Sequence, residues 1–430
     1  MCRSKRPSKP FFSAFKKLIM LHFETFTLAN GLRFFVHQDK DTPMAVFNLM
    51  YDVGSRDEEA HKTGFAHLFE HLMFGGSKHI PTYDRPLQLV GGSNNAFTSP
   101  DLTNYYDILP ANNLETAFWL ESDRMLALDF SEEPLEVQRK VVIEEFKQRY
   151  LNQPYGDVWL KLRPLAYQQH PYRWATIGKE ISHIEQATLQ DVKDFFYRYY
   201  LPNNAIAVVA GNVTTEQVEA LAQKWFAPIP KGERLPRLLP QEPLQTEARF
   251  EETAAKVPLD AIYKAYKMSN RLAQDYHATD LLSDMLARDE ASPLFRRLVR
   301  EKEVFVSLQS YIMGSFDEGL LVIQGKVNPT HTLEEAHALL EQELERVVAG
   351  LDEKSLQRVK NHVESGVVLG NIELFNRAVN LAYATLLGNT NLVNTEIEQI
   401  RAVSLAQVKQ VAQKVLNPQV CSTLFYRAIR

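Results

Sequence analysis

The run Thr63-Gly-Phe-Ala-His67-Leu-Phe-Glu70-His71-Leu-Met73 carries the most specific pattern in this chain of 430 residues. Its apolar residues recur at helical spacing, which predicts a helix over residues 63–73. His67 and His71 are four residues apart, so their side chains project from the same face of that helix. Two imidazoles on one helix face can both bind Zn²⁺, so the run predicts a metal site.

Glu70 is the candidate catalytic residue of this run. It lies three residues after His67 and one before His71, close enough to take a proton from a water molecule that the metal activates. A catalytic zinc ion also needs a third protein ligand and one open coordination position. With 12 histidines in the chain, His-x-x-Glu-His is expected by chance only about 0.02 times. A surface helix with incidental histidines is therefore the weaker interpretation.

Composition and charge exclude several other classes of protein. The chain is long enough for two or three domains, and its net charge is −5, with 48 basic and 53 acidic residues. It has no basic stripe with interleaved aromatic residues, which argues against a nucleic-acid partner. No apolar run approaches the roughly 20 residues that a membrane-spanning helix needs. Cys2 and Cys421 lie near opposite ends, so the usage of cysteine favours a reducing, cytoplasmic compartment.

The first 21 residues form a basic leader with a short apolar patch, which Lys16 and Lys17 interrupt. A secretory signal peptide has a longer apolar core and a cleavage site of small residues. We therefore expect residues 1–21 to be a disordered leader, or the true start to be Met20. This segment leaves a periplasmic location open beside the cytoplasmic one.

Three short patterns occur twice in the chain, in the same order. The offset is 219 residues from Pro110 to Pro329, 219 from Leu135 to Lys354, and 216 from Ala187 to Val403. Repeats of this length indicate two globular copies of one domain rather than a solenoid.

A proline-rich stretch at residues 228–245 is the predicted linker, because proline breaks helices and stiffens connections. It separates a first, zinc-binding domain at residues 22–227 from a second, inactive copy at residues 246–430 that closes the substrate cavity. Strand-like runs lie at residues 32–37, 45–51 and 205–210. Because strands and helices do not alternate strictly, we expect an α+β fold with a mainly antiparallel sheet covered by helices in each domain.

The run from Gly64 to Ser77 resembles the pitrilysin/insulinase family of zinc peptidases, the inverted zincins, which includes the mitochondrial processing peptidases. The resemblance extends over nearly the whole chain from residue 22. It implies an endopeptidase that cleaves peptides or small unfolded segments inside a cavity. It also implies one Zn²⁺ per chain, bound by His67, His71 and a glutamate further along the chain.

The resemblance places this third ligand in the segment Gln138-Arg-Lys-Val-Val-Ile-Glu144-Glu145. Aligning the Val-Val pair puts it at Glu145, 74 residues after His71, with Glu144 as the alternative. Adjacent residues on a helix point about 100° apart, so only one of them can face the metal. The family commonly has a second acidic residue where this chain has Gln138, which can form hydrogen bonds around the site but adds no charge.

The segment from Gly91 to Tyr105 resembles the family's sheet-edge strand beside the metal. A peptide can join such an edge as an additional strand through its own N–H and C=O groups. The resemblance therefore implies that Asn95, Ala96 and Thr98 contact substrate. A glycine-rich loop followed by an ordinary strand is the alternative, and the zinc motif makes it the weaker one.

The second domain of the family usually supplies an Arg and a Tyr that contact the substrate carbonyl. Arg300 matches the first position, but the Tyr position falls on Ser307, or on Val306 if one residue is missing. Loss of one oxyanion donor can slow catalysis by about 10² or more. Short members of the family often work in pairs. We therefore hypothesise that this chain is the zinc-carrying half of a dimer, with a paralogous subunit that carries the Arg and the Tyr.

Two interpretations from other functional classes remain beside the peptidase. One is a non-catalytic scaffold subunit, against which the intact set of zinc ligands argues. The other is a chaperone that binds peptides at the edge strand without cleaving them. We assign no metal role to His61, His79 and His170, since isolated histidines are more often solvated or hydrogen-bonded.

Overall fold

The computed structural model describes residues 20–429. The predicted leader at residues 1–21 lies outside the described residues except for its last two. Of these, Leu21 is buried, and its backbone N–H donates a hydrogen bond to Oδ1 of Asn394 at 2.8 Å. Residue 21 therefore belongs to the folded part of the chain, whereas the sequence placed it in the leader.

The first sheet is formed by β1 (Glu24–Thr27), β2 (Arg33–Gln38), β3 (Met44–Tyr51), β4 (Ser93–Thr98), β5 (Thr103–Pro110) and β6 (Ala205–Gly211). Its spatial order is β1-β2-β6-β3-β5-β4. The pair β2 and β6 is parallel, and the other neighbours are antiparallel. Strand β4 thus lies at one edge of the sheet.

The second sheet is formed by β7 (Arg249–Ala255), β8 (Ala261–Met268), β9 (Phe305–Met313), β10 (Gly319–Val327) and β11 (Ser422–Ala428). Its spatial order, β7-β11-β8-β10-β9, repeats that of the first sheet without β1. The single parallel pair, β7 and β11, occupies the equivalent place. Corresponding strands are 216 residues apart from Arg33 to Arg249, and 217 from Ala205 to Ser422. The predicted α+β fold of two similar, mainly antiparallel halves is confirmed.

Helices cover both sheets. Those of the first half are α1 (Phe65–Leu72), α2 (Asp84–Leu89), α3 (Leu114–Leu126), α4 (Glu132–Phe146), α5 (Val158–Ala166), α6 (Ile181–Glu185), α7 (Leu189–Tyr199) and α8 (Thr215–Trp225). Those of the second half are α9 (Tyr276–Ala287), α10 (Pro293–Phe295), α11 (Leu333–Ala349), α12 (Glu353–Gly370), α13 (Leu374–Leu386), α14 (Leu392–Ala402) and α15 (Leu405–Val415). Wider, π-helical turns continue α4 over Lys147–Leu151 and α10 over Arg296–Glu301.

Each half contributes one helix to the sheet of the other half. Helix α5 packs on the second sheet, where Leu162 and Leu424 belong to one buried cluster. Helix α13 packs on the first sheet, where Leu381 and Val208 belong to another. Both faces of both sheets are therefore buried, and the two halves form a shared core rather than two separate ones.

The predicted linker, residues 228–245, contains neither helix nor strand and follows the surface of the first half. Arg237 forms ion pairs with Asp52 at 2.9 Å and Asp57 at 2.6 Å. The carboxylate of Glu242 accepts hydrogen bonds from three successive backbone N–H groups, at residues 168–170. These contacts fix the connection between the halves along most of its length.

Candidate metal centre

Helix α1 begins at a sharp change of backbone direction. Gly64, which precedes it, has a φ of +89°, a conformation that glycine adopts far more easily than other residues. A Cβ at this position would lie 2.6 Å from the carbonyl oxygen of Ile177. The N–H groups of Gly64 and Ala66 donate to the buried carboxylate of Glu58 at 2.9 and 2.8 Å. Glu58 thereby caps the positive end of the helix that carries the histidines.

Replacing Gly64 with alanine should lower the free energy of unfolding by more than about 1 kcal/mol, because the new Cβ meets both strain and backbone atoms. Gly366 is the matched control, since it lies in α12 with open space around its Cβ position. Gly366→Ala should instead stabilise the protein by about 0.5–1 kcal/mol. Urea denaturation of both variants measures the difference. Equal effects of the two substitutions would contradict this account of the start of α1.

The two sides of α1 have different environments. Its apolar side is buried, and the ring of Phe69 packs 4.8 Å from that of Phe195 and 5.2 Å from that of Tyr200. The opposite side carries His67, Glu70 and His71, all half-buried. The helix is therefore anchored in the core of the first half and presents its polar side to an accessible cleft.

Glu145 on α4 meets the two histidines of α1. Its Oε2 atom lies 3.6 Å from Nε2 of His67 and 3.3 Å from Nε2 of His71. One ligand atom from each of the three residues lies within 4.8 Å of the others, and no other such group occurs among residues 20–429. The structure thus brings together the three residues that the sequence proposed as metal ligands.

This arrangement fits a zinc ion. Ligand atoms about 2.0–2.2 Å from a tetrahedral ion lie roughly 3.3–3.6 Å apart, as the two distances from Glu145 do. Two imidazoles and one carboxylate form a known set of catalytic zinc ligands that leaves one position open. Burial lowers the pKa of His67 to about 4, which keeps its imidazole in the neutral form that binds metals.

Glu70 lies on the same helix face and has its own partner. The hydroxyl of Thr98 on β4 donates a hydrogen bond to Oε2 of Glu70 at 2.6 Å. Burial raises the pKa of Glu70, and the hydrogen bond from Thr98 opposes that rise. Thr98 therefore orients the candidate base and helps to keep it ionised, a role that the sequence did not predict.

The remaining predicted substrate contacts lie on the edge strand. Along β4, half-buried residues alternate with exposed ones, so Ala96 and Thr98 share one face and Asn95 lies on the other. The side chain of Asn95 accepts a hydrogen bond from the backbone N–H of Ala96 at 2.8 Å. Asn95 and Thr98 thus differ in orientation, and only Thr98 contacts a residue of the metal centre.

Two further predicted residues lie on α4 near Glu145. Glu144 is 62% exposed and pairs with Lys147 at 2.7 Å, so it is turned away from the histidines. Gln138 is half-buried two turns before Glu145, on nearly the same side of the helix. The structure thus distinguishes the two adjacent glutamates and leaves Gln138 within the surroundings of the site.

Arg149 was missed by the sequence analysis. It lies in the π-helical turn after α4, and its guanidinium is 2.7 Å from Oε1 of Glu145, the oxygen that does not face the histidines. Its side chain is 68% exposed. The spacing of four residues from Glu145 on a helix was the available signal.

Arg300 has a partner within its own half. Its guanidinium pairs with Glu290 at 2.6 Å, and its side chain is 59% exposed. Ser307 and Val306, the candidates for the Tyr position, lie on the edge strand β9. The second half therefore presents no tyrosine at either matching position.

The second copy of the metal-binding helix, α9, carries different chemistry. Aligning Leu281-Leu282 with Leu68-Phe69 places Asp280, Ser283 and Asp284 where the first copy has His67, Glu70 and His71. Asp284 forms an ion pair with Arg288 four residues later. The second half thus lacks the histidines and the glutamate of the first.

The three histidines left off the metal have other partners. His61 is 74% exposed and lies 3.3 Å from Glu59. His79 contacts Asp123 at 2.5 Å, and His170 lies 3.3 Å from Asp317. These contacts agree with their exclusion from the metal centre.

Two family models match the chain. Residues 33–178 match "Insulinase (Peptidase family M16)", and residues 186–363 match "Peptidase M16 inactive domain". The first range includes both histidines and both catalytic-site glutamates of the candidate centre. Together the two models account for most of the chain.

Individual relatives are similar over nearly their full length. The chain is 29% identical to zinc protease PqqE from Helicobacter pylori over 412 residues, which are 94% of this chain and 92% of the relative. It is 24% identical to the uncharacterized zinc protease YmxG of Bacillus subtilis, over 91% of this chain and 95% of the relative. A crystal structure of a protease from Helicobacter pylori superposes with a TM-score of 0.88 at 28% identity, covering 95% and 100% of the two chains.

Among residues 20–429, no helix combines the length and the apolar character that a membrane span requires.

Proposed function

Since the chain belongs to the insulinase family of peptidases, M16, we propose that it is a zinc-dependent endopeptidase that cleaves peptides or small unfolded segments. The observation that carries this proposal is the convergence of His67, His71 and Glu145, with Glu70 beside them. Zinc proteases among the relatives support the same assignment.

Each residue of the centre has a chemical role in this proposal. A zinc ion held by His67, His71 and Glu145 would polarise the scissile carbonyl and make water a better nucleophile. Glu70 takes the proton of the attacking water and then donates it to the leaving amine. Thr98 keeps the Glu70 carboxylate oriented between these two transfers.

The substrate would lie along the edge of the first sheet. Strand β4 has a neighbour on one side only, β5, so its other side can pair with an extended peptide. Because Thr98 joins this strand to Glu70, a peptide bound there would pass directly beside the base. A folded protein cannot present its backbone in this way, so unfolded segments are the expected substrates.

Dimerisation is the second part of the proposal. The second half offers Arg300 already paired with Glu290, and Ser307 or Val306 where the family has a tyrosine. A partner subunit with an Arg and a Tyr would supply the missing donors for the oxyanion. The chain would then be the zinc-carrying half of a dimer.

A non-catalytic scaffold is the rival function, and the match of residues 186–363 to an inactive domain favours it. The candidate ligands, however, all lie in residues 33–178, within the other match. A scaffold would have no use for a base hydrogen-bonded beside three convergent ligands.

A quenched fluorescent peptide library, with and without a paralogous subunit, tests the proposal. We expect zinc-dependent cleavage that a chelator abolishes and added zinc restores, and we expect the paralogue to increase it. Full activity of the chain alone would contradict the heterodimer. Absence of cleavage under every condition, with zinc bound, would favour the scaffold or a peptide-binding chaperone.

A further inference from the structure

Arg149 is a positively charged group beside the candidate metal centre to which the proposed mechanism gives no role. One nitrogen of its guanidinium contacts Oε1 of Glu145 at 2.7 Å, while Oε2 faces the two histidines. The side chain is 68% exposed, so the rest of the guanidinium faces solvent next to the site. An arginine has five N–H donors, and this contact uses only part of them.

The ion pair with Glu145 holds Arg149 only weakly. Exposed pairs four residues apart on a helix contribute little to stability, because solvent screens them and both side chains lose freedom. Metal binding at Oε2 would also draw negative charge away from the carboxylate. Arg149 can therefore turn towards another anion without disturbing the fold.

The charges around the centre leave room for such an anion. With zinc bound, Glu70 and Glu145 balance the two charges of the ion, and Arg149 adds one positive charge. Gln138 is neutral on the same side of α4, and the charge of Glu144 is compensated by Lys147. A substrate group that completes this balance carries one negative charge.

Resting on the function proposed above, we infer that Arg149 recognises a carboxylate of the substrate close to the scissile bond. The enzyme would thus prefer peptides with an acidic residue there. A guanidinium suits this task because its planar fork of donors matches the two oxygens of a carboxylate. The carboxylate can belong to an acidic side chain or to the C-terminus of a short peptide, and the two sources can be separated by experiment.

A purely positioning role is the competing explanation. In that case Arg149 would only hold Glu145 in place for the metal, and its loss would weaken zinc binding, since such supporting contacts typically contribute ten- to a hundredfold in affinity. A recognition role predicts that zinc binding survives. Zinc affinity, measured by chelator competition, separates the two explanations without any turnover.

The matched control lies in the same turn. Lys147 forms an equally short, exposed pair with Glu144, the residue next to Glu145, but does not contact the centre. Arg149→Met and Lys147→Met each remove one positive charge from the same π-helical turn. Arg149→Lys keeps the charge and removes the fork. Thermal unfolding of all three checks that the turn remains folded.

Substrate preference is measured with acetylated, amidated peptides that differ only by Glu or Gln at one of the two residues on either side of the cleaved bond. For at least one position, we expect the unmodified enzyme and Lys147→Met to favour Glu about fivefold in kcat/KM. Arg149→Met should reduce this ratio to below about twofold, and Arg149→Lys should retain part of it. Raising the salt from about 0.1 to about 1 M should also reduce the ratio. Gln peptides with a free C-terminus test the second source of the carboxylate.

Three results would overturn the inference. They are the absence of any preference for either carboxylate source in the unmodified enzyme, a preference that survives in Arg149→Met, and loss of zinc from Arg149→Met. Binding of the same labelled peptides to zinc-loaded Glu70→Gln, followed by fluorescence anisotropy, gives a readout that needs no cleavage. A binding preference without cleavage by the unmodified enzyme would support the role of Arg149 while the proposed peptidase function fails.

Discussion

Replacing Glu70 with glutamine should leave zinc bound and reduce the cleavage rate by about 10²–10⁴, the contribution typical of a positioned general base. The amide has nearly the same shape as the carboxylate and can still accept the hydrogen bond from Thr98. It cannot take a proton from water, so the loss should appear in kcat rather than in KM.

Two measurements accompany this variant. The zinc content per chain should equal that of the unmodified protein, because Glu70 is not among the three convergent ligands. Glu144→Gln is the control, since it removes a carboxylate that is exposed and paired with Lys147. It should change the rate less than about twofold. Unchanged cleavage by Glu70→Gln would eliminate this residue as the base.

Glu145→Gln should have the largest effect on metal binding. The glutamine removes the negative ligand on which both histidine distances converge. We expect zinc affinity to fall by at least about a hundredfold, since changes among supporting residues alone cost ten- to a hundredfold. Cleavage should fall with it and recover only partly at high zinc concentration.

The adjacent residue provides an unusually close comparison for Glu145. Glu144→Gln makes the same chemical change one position earlier on α4, where the side chain contacts Lys147. Its zinc affinity should remain within about twofold of the unmodified protein. A larger loss in Glu144→Gln than in Glu145→Gln would reverse the assignment of the third ligand.

The sequence predicted the fold well where it was repeated. Because the two halves carry the same patterns in the same order, the duplicated α+β architecture could be predicted before any contact was known. The packing of α5 and α13 on the opposite sheets could not. An amphipathic helix shows that one of its faces is buried, but not which sheet buries it.

The metal centre was predictable to a different degree on each of its elements. The spacing of His67 and His71 fixes their common face through the helical period alone. The choice between Glu144 and Glu145 depends on how α4 is rotated against α1, which only the tertiary structure gives. In the structure Glu145 faces the histidines, and its role as a ligand remains a prediction.

The supporting contacts were beyond the sequence patterns. Glu58 caps α1 from six and eight residues before its two donors, through a bend at Gly64, and matches no local capping motif. Thr98 could be placed on a strand, but strand alternation does not show which face meets Glu70. Arg149 is the exception, because its helical spacing from Glu145 could have indicated the ion pair.

The central claim is that His67, His71 and Glu145 bind a zinc ion in this chain. Anomalous diffraction from crystals of the zinc-loaded protein, recorded on both sides of the zinc absorption edge, tests it most directly. We expect one anomalous peak per chain, about 2.0–2.2 Å from the Nε2 atoms of both histidines and from a carboxylate oxygen of Glu145. A zinc-loaded crystal with no peak there, or with its peak elsewhere in the chain, would contradict the account.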